Sequence, residues 1–113
     1  TQLEGAELLL DLIKKGVLVS GGVETCLVGM RIANGILIGL PGEPFNIVAK
    51  AVRNNAPAGF FATVMGLTDG YLGYFPDQEA VEGSWYEALA SPFDYRATVV
   101  LVEGEQKLIR KLS

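Results

Sequence analysis

The sequence predicts a small α/β domain, part of a larger one: a mixed sheet built from a β-hairpin over residues 23–40 and a βαβ unit over residues 36–67, flanked by helices. Three observations predict it. Asn34-Gly35 sits between two apolar, β-rich runs, and Asn-Gly between such runs is the strongest two-residue hairpin signal. The runs Ile36-Leu37-Ile38-Gly39-Leu40 and 59–67 bracket a helix-like segment over 45–55, and a strand–helix–strand order makes the two strands parallel neighbours. Residues 3–15 carry Leu8, Leu9, Leu12 and Ile13 at helical spacing.

The elements follow in order. Glu4, Glu7 and Asp11 lead the first helix and Lys14 and Lys15 end it, as the helix dipole favours, and Gly16 stops it. Residues 17–20 are a short apolar strand candidate. The 23–33 run then enters the hairpin, with a type I′ turn expected at Asn34-Gly35 and Cys26 expected as an inert buried thiol in mid-strand. Pro44 suits the first position of the next helix, where its missing N–H costs nothing. Ile47, Val48, Ala51 and Val52 form that helix's apolar stripe, and Asn54, Asn55 and Pro57 end it. Residues 59–67 are almost continuously apolar, the pattern of a strand covered on both faces. Pro76-Asp77 opens a short helix broken at Gly83-Ser84, and Trp85 to Leu89 continues it. Residues 98–102 are β-rich enough for a strand on propensity alone, but Lys107, Arg110 and Lys111 suit a helix end and favour a last helix over 97–112 with Leu101, Leu108, Ile109 and Leu112 on one side.

Composition narrows the function. The chain has 113 residues, half of them hydrophobic, enough for one core. A net charge of −4 with scattered basic residues leaves no electrostatic footprint for nucleic acid. No apolar run reaches the roughly 18 residues of a transmembrane segment. One Cys and no His exclude an internal disulfide, a zinc-finger spacing and a Cys-His pair, and remove the commonest general base. A first residue of Thr fits a piece trimmed from something longer.

Chemistry is therefore left to carboxylates, tyrosines and lysines. Glu43 stands between Gly42 and Pro44 at a strand-to-helix corner, as a helix cap or as a metal-ligating or acid–base carboxylate. Tyr71 and Tyr74 flank Leu72-Gly73 in the next strand's exit loop, as packing residues or as part of a site, and Asp69 is placed to cap that turn. Loops leaving the carboxyl ends of parallel strands are where α/β proteins place their sites. Glu79, Glu82 and Glu87 read as a solvated face, Trp85-Tyr86 as core ahead of pocket lining, and Gly39-Leu40-Pro41-Gly42 has neither a Walker lysine nor a GxGxxG spacing.

Three blocks carry a family resemblance: Leu40-Pro41-Gly42-Glu43-Pro44-Phe45, then Gly66-Leu67-Thr68-Asp69-Gly70-Tyr71-Leu72-Gly73-Tyr74-Phe75-Pro76-Asp77, then Trp85-Tyr86-Glu87-Ala88. Their order and intervals, over residues 23–112, resemble the carboxyl-terminal part of the catalytic domain of neutral/alkaline non-lysosomal ceramidase-like proteins. The resemblance implies a zinc ion held by Glu43, Tyr74 and two histidines from outside this sequence, leaving room for a water that attacks an amide carbonyl. It also implies an amide-containing lipid or other amide substrate, and inactivity of the 113-residue chain alone. The sequence departs from the family pattern at Asp69, usually Asn, at Asp77, usually Thr, and at Glu79-Ala80-Val81, where the family has E-E-Y. Expected partners are the remainder of the parent chain or, through an uncovered apolar face or strand edge, a copy of itself. The rival reading is a non-catalytic α/β scaffold or interaction domain that binds no metal.

Overall fold

The computed structural model describes residues 24–68 and 70–113, so the helix expected over 3–15, the strand expected over 17–20 and the capping role of Asp69 lie outside the described residues. Strand β1 (Val28–Ile32) turns back into β2 (Gly35–Gly39) as an antiparallel pair, with Ile32 opposite Gly35. The turn is thus Ala33-Asn34, one residue earlier than expected. Ala33, at φ 54°, is left-handed and Asn34 is not, which excludes type I′. Gly35 belongs to the strand because the Phe61 ring lies over it. A Cβ there would meet the ring's Cζ at 3.0 Å.

After β2 the chain makes the two-residue strand β3 (Glu43–Pro44), helix α1 (Asn46–Asn54) and strand β4 (Phe61–Met65), which returns parallel to β2. The hairpin and the βαβ unit together give a mixed three-stranded sheet of order β1-β2-β4. Pro44 does not open the helix. It pairs with Phe75 in a second, two-stranded parallel sheet of β3 and β5 (Tyr74–Phe75), and Phe45 becomes the N-cap. Two short helices follow, α2 (Gln78–Glu82), capped by the Asp77 carboxylate accepting from Ala80 N–H at 2.8 Å, and α3 (Tyr86–Leu89). The last helix, α4 (Tyr95–Leu112), starts two residues before the sequence expectation because Asp94 caps it, accepting from Arg96 N–H at 2.9 Å.

Register divides the sheet into two faces. Ile36, Ile38, Ala62 and Val64 point one way and pack with Val48 and Val52 of α1 and Leu101 and Ile109 of α4. Arg31 fastens α4 to the hairpin: its guanidinium donates to the Leu112 carbonyl at 3.1 Å, the negative end of the helix dipole, and lies 4.7 Å over the Phe60 ring. Among the described residues nothing packs on the other face. In β4 Ala62 is buried and Phe61, Thr63 and Met65 are exposed, so the strand expected to be covered on both sides is covered on one. Both α1 and α4 pack on the same face. Cys26 is likewise exposed, before β1 begins, and Trp85 is 42% exposed, so neither is the core residue expected.

One core position was invisible to a reading that followed apolar residues. Glu105 falls four residues after Leu101 and four before Ile109, on the stripe that α4 turns to the core, and it is fully buried with neither carboxylate oxygen hydrogen-bonded. Burial pushes its carboxyl from an ordinary 4.5 up to about 8. The folded chain keeps this proton over a range in which the unfolded chain has released it. Stability contributed by the group is therefore complete below its ordinary pKa, declines as pH rises and is lost above the folded value. Urea titrations between pH 5 and 9 should show stability falling with pH in this window. Glu105→Leu should flatten that slope and raise stability at pH 8 by about 1–3 kcal/mol.

Candidate metal-binding corner

Both loops at the carboxyl ends of β2 and β4 are laced together by main chain. The carbonyls of Leu40, Pro41 and Gly42 accept from the N–H groups of Thr68 (2.8 Å), Leu72 (2.6 Å) and Leu67 (2.9 Å). The sequence Leu40-Pro41-Gly42 suits this role, since Pro41 has no N–H to satisfy and Gly42 no side chain to keep clear. A Cβ on Gly42 would run into the Gly73 carbonyl oxygen and come within 2.7 Å of the Phe75 ring. Gly73 in turn sits at φ 95°, which favours glycine, and its carbonyl accepts from Glu43 N–H at 2.9 Å.

The result is the parallel register of β3 on β5, with Glu43 directly opposite Tyr74 and Pro44 opposite Phe75. Paired residues on adjacent strands lie about 4.8 Å apart and point to the same side. The two residues singled out from sequence, 31 positions apart in the chain (74 − 43), are therefore immediate neighbours. Strand β5 is held from behind. Ser91 Oγ donates to the Tyr74 carbonyl at 2.6 Å and accepts from Phe93 N–H at 3.0 Å, Thr98 Oγ1 donates to the Pro76 carbonyl at 2.6 Å, and the Phe75 and Phe93 rings stack at 5.1 Å. Sequence reading passed over Ser91 and Thr98. Their hydroxyls are buried, and only the position of β5 reveals what they hold.

Tyr71 joins the corner from the loop, its hydroxyl donating to Glu43 Oε1 at 3.3 Å. Desolvation, then the Glu43 charge and this hydrogen bond, hold the Tyr71 phenol above its ordinary pKa. Tyr74 is raised as well, by desolvation first and then by the charges of Glu43, Tyr86, Tyr71 and Glu87. Tyr86 and Glu87, on α3, thus stand near enough to be felt at Tyr74, so the three sequence blocks converge on one place. Protein-family models, curated proteins and solved structures were compared with the chain, and none matches.

The donor set bears on whether a metal fits. A carboxylate and a phenol on adjacent register positions are two hard oxygen donors on one side of a sheet, the right kind for half of a mixed nitrogen–oxygen zinc site. They are not a site alone: among the described residues no three His, Cys, Asp or Glu side chains cluster. A separate open apolar cavity of about 570 Å³ lies behind β5, lined by Leu72, Phe75, Phe93 and Leu101 among others, and neither Glu43 nor Tyr74 faces it.

Two substitutions probe the corner. Gly42→Ala should cost about 1–3 kcal/mol in thermal unfolding by wedging β3 from β5. Glu43→Gln should lower the tyrosine ionisation midpoints followed at 295 nm, since it removes a negative charge that opposes phenolate formation at both Tyr71 and Tyr74.

Proposed function

We propose that this chain is the carboxyl-terminal portion of a ceramidase-like zinc amide hydrolase domain, in which Glu43 and Tyr74 are two of the ligands and two histidines come from outside this sequence. The observation that carries the reading is the parallel pairing of Glu43 with Tyr74 at the carboxyl ends of β2 and β4. Two residues named by spaced motifs are set side by side there, in the place where α/β proteins put their chemistry.

When bound, zinc supplies Lewis acidity and a water of lowered pKa for attack on an amide carbonyl. The chain's own residues hold and orient. Tyr71, donating to Glu43 Oε1, fixes which carboxylate oxygen stays free, the part an outer hydrogen bond plays for a ligating carboxylate. Tyr74 must surrender its phenolic proton to ligate, and desolvation and the Glu43 charge both oppose that until a cation is present. The apolar cavity behind β5 does not open onto this pair, so it is not assigned to the amide substrate, whether lipid or other.

Two measurements test the proposal. Calorimetry on the 113-residue chain should show only weak, nonspecific zinc binding, because two oxygen donors without imidazole or thiolate make a poor site. A longer polypeptide from the same reading frame that includes upstream histidines should retain zinc through gel filtration. Glu43→Ala or Tyr74→Phe should lower its metal content about tenfold or more. Tight stoichiometric zinc on the short chain, or zinc retention indifferent to both substitutions, overturns it. A longer polypeptide that holds no zinc returns the chain to the scaffold reading.

A further inference from the structure

Among the described residues, the outward face of the β1-β2-β4 sheet is apolar and nothing packs over it. Register places Val28, Met30 and Ile32 of β1, Leu37 of β2, and Phe61 and Met65 of β4 on it. Leu37 is half-buried, and the other five are 43–61% exposed. The remaining outward positions are Gly35, Gly39 and Thr63, so no charged residue interrupts the face. The Phe61 ring occupies the space above Gly35, where a Cβ would meet its Cζ at 3.0 Å. A parallel β2–β4 pair with one open side is unusual, because parallel strands are normally covered on both.

We propose that this face is the seat of a second copy of the chain, the two sheets packing face to face about a two-fold axis. Charge and area select this occupant. A two-fold contact sets the same patch against itself, residue i on residue j, so a patch whose outward positions are all uncharged is self-complementary by burial alone. The five exposed side chains leave on the order of 600 Å² of apolar surface, the upper end of what a monomer shows. Two such patches bury about 1,200 Å², the lower bound of a specific interface and well above a chance contact. Sheets packed this way align within about 30°, and with the Phe61 ring over Gly35 and the Thr68 methyl over Gly39, Leu37 is the outward side chain of the middle strand between two filled positions. The contact is independent of the metal corner. A second copy brings no histidine and does not complete that site.

Sedimentation velocity on the full chain between roughly 1 and 100 µM tests it. A concentration-dependent monomer–dimer equilibrium is expected. Met30→Lys, at the centre of β1, and Leu37→Lys, on the middle strand, should each shift it to monomer by at least tenfold in dissociation constant, with circular dichroism unchanged. Val100→Lys, on the exposed side of α4, should leave the dimer intact. Leu37 separates face packing from edge pairing, because a middle strand takes no part in edge-to-edge association. A chain that stays monomeric at the highest concentration, as it would if residues 1–23 covered the face, overturns the proposal. So does a dimer that survives Leu37→Lys, or one that Val100→Lys dissolves equally. If either sheet variant loses its circular dichroism, Leu37→Thr and Met30→Thr take its place, with the same outcomes deciding.

Discussion

The corner depends on three main-chain hydrogen bonds, from Thr68, Leu72 and Leu67 to the carbonyls of Leu40, Pro41 and Gly42. Strands β2 and β4 are parallel, so their exit loops emerge at the same end of the sheet, but parallelism alone leaves those loops free to diverge. Spending three consecutive carbonyls of one loop on the amides of the other removes that freedom. Each such bond contributes only about 1 kcal/mol net, yet a break would leave two polar groups seeking partners in a tightly packed corner. The pairing of β3 with β5, the meeting of Glu43 with Tyr74 and the seat of Phe75 against Phe93 all follow.

The lacing has a local cost. Leu67 adopts φ 55°, a left-handed conformation that costs a side-chain-bearing residue about 1–2 kcal/mol. In that conformation its N–H reaches the Gly42 carbonyl, so the strain is offset by the bond that positions the residue before Glu43. Strain of this size survives where surrounding structure over-determines it, and it gathers at places where geometry matters more than local comfort. Glu105 is a cost of another kind. It sits in the core without a hydrogen-bond partner, far from the corner in the chain, and nothing in the described structure repays it.

Much of the fold was legible because its signals are local. The hairpin, the βαβ order, the Asp77 helix start and the stripe of α1 each rest on a few adjacent residues whose conformational preferences agree. The failures share a cause in tertiary contact. The turn moved to Ala33-Asn34 because Gly35 was needed under the Phe61 ring, which comes from a strand 26 residues further on (61 − 35). Pro44 left the helix for the same reason, its partner Phe75 being distant in sequence. Glu105 was missed because charge argued against burial more strongly than spacing argued for it. At the corner, Glu43 and both tyrosines were readable as candidates from position alone, but the side-by-side register of Glu43 and Tyr74 needed the sheet.

Two incomplete surfaces remain, and they ask for different things. The corner of Glu43, Tyr71 and Tyr74 presents hard oxygen donors with raised phenol pKa values, an arrangement whose electrostatics improve only when positive charge arrives. Among the described residues the outward sheet face presents apolar side chains and the Thr63 hydroxyl, and it improves only when water leaves. A cation does nothing for the second, and a histidine-free apolar partner does nothing for the first. The two deficits are therefore separable in physics as well as in place. Under the two proposals, metal content reads the state of the corner and association state that of the face, so each is measurable without the other.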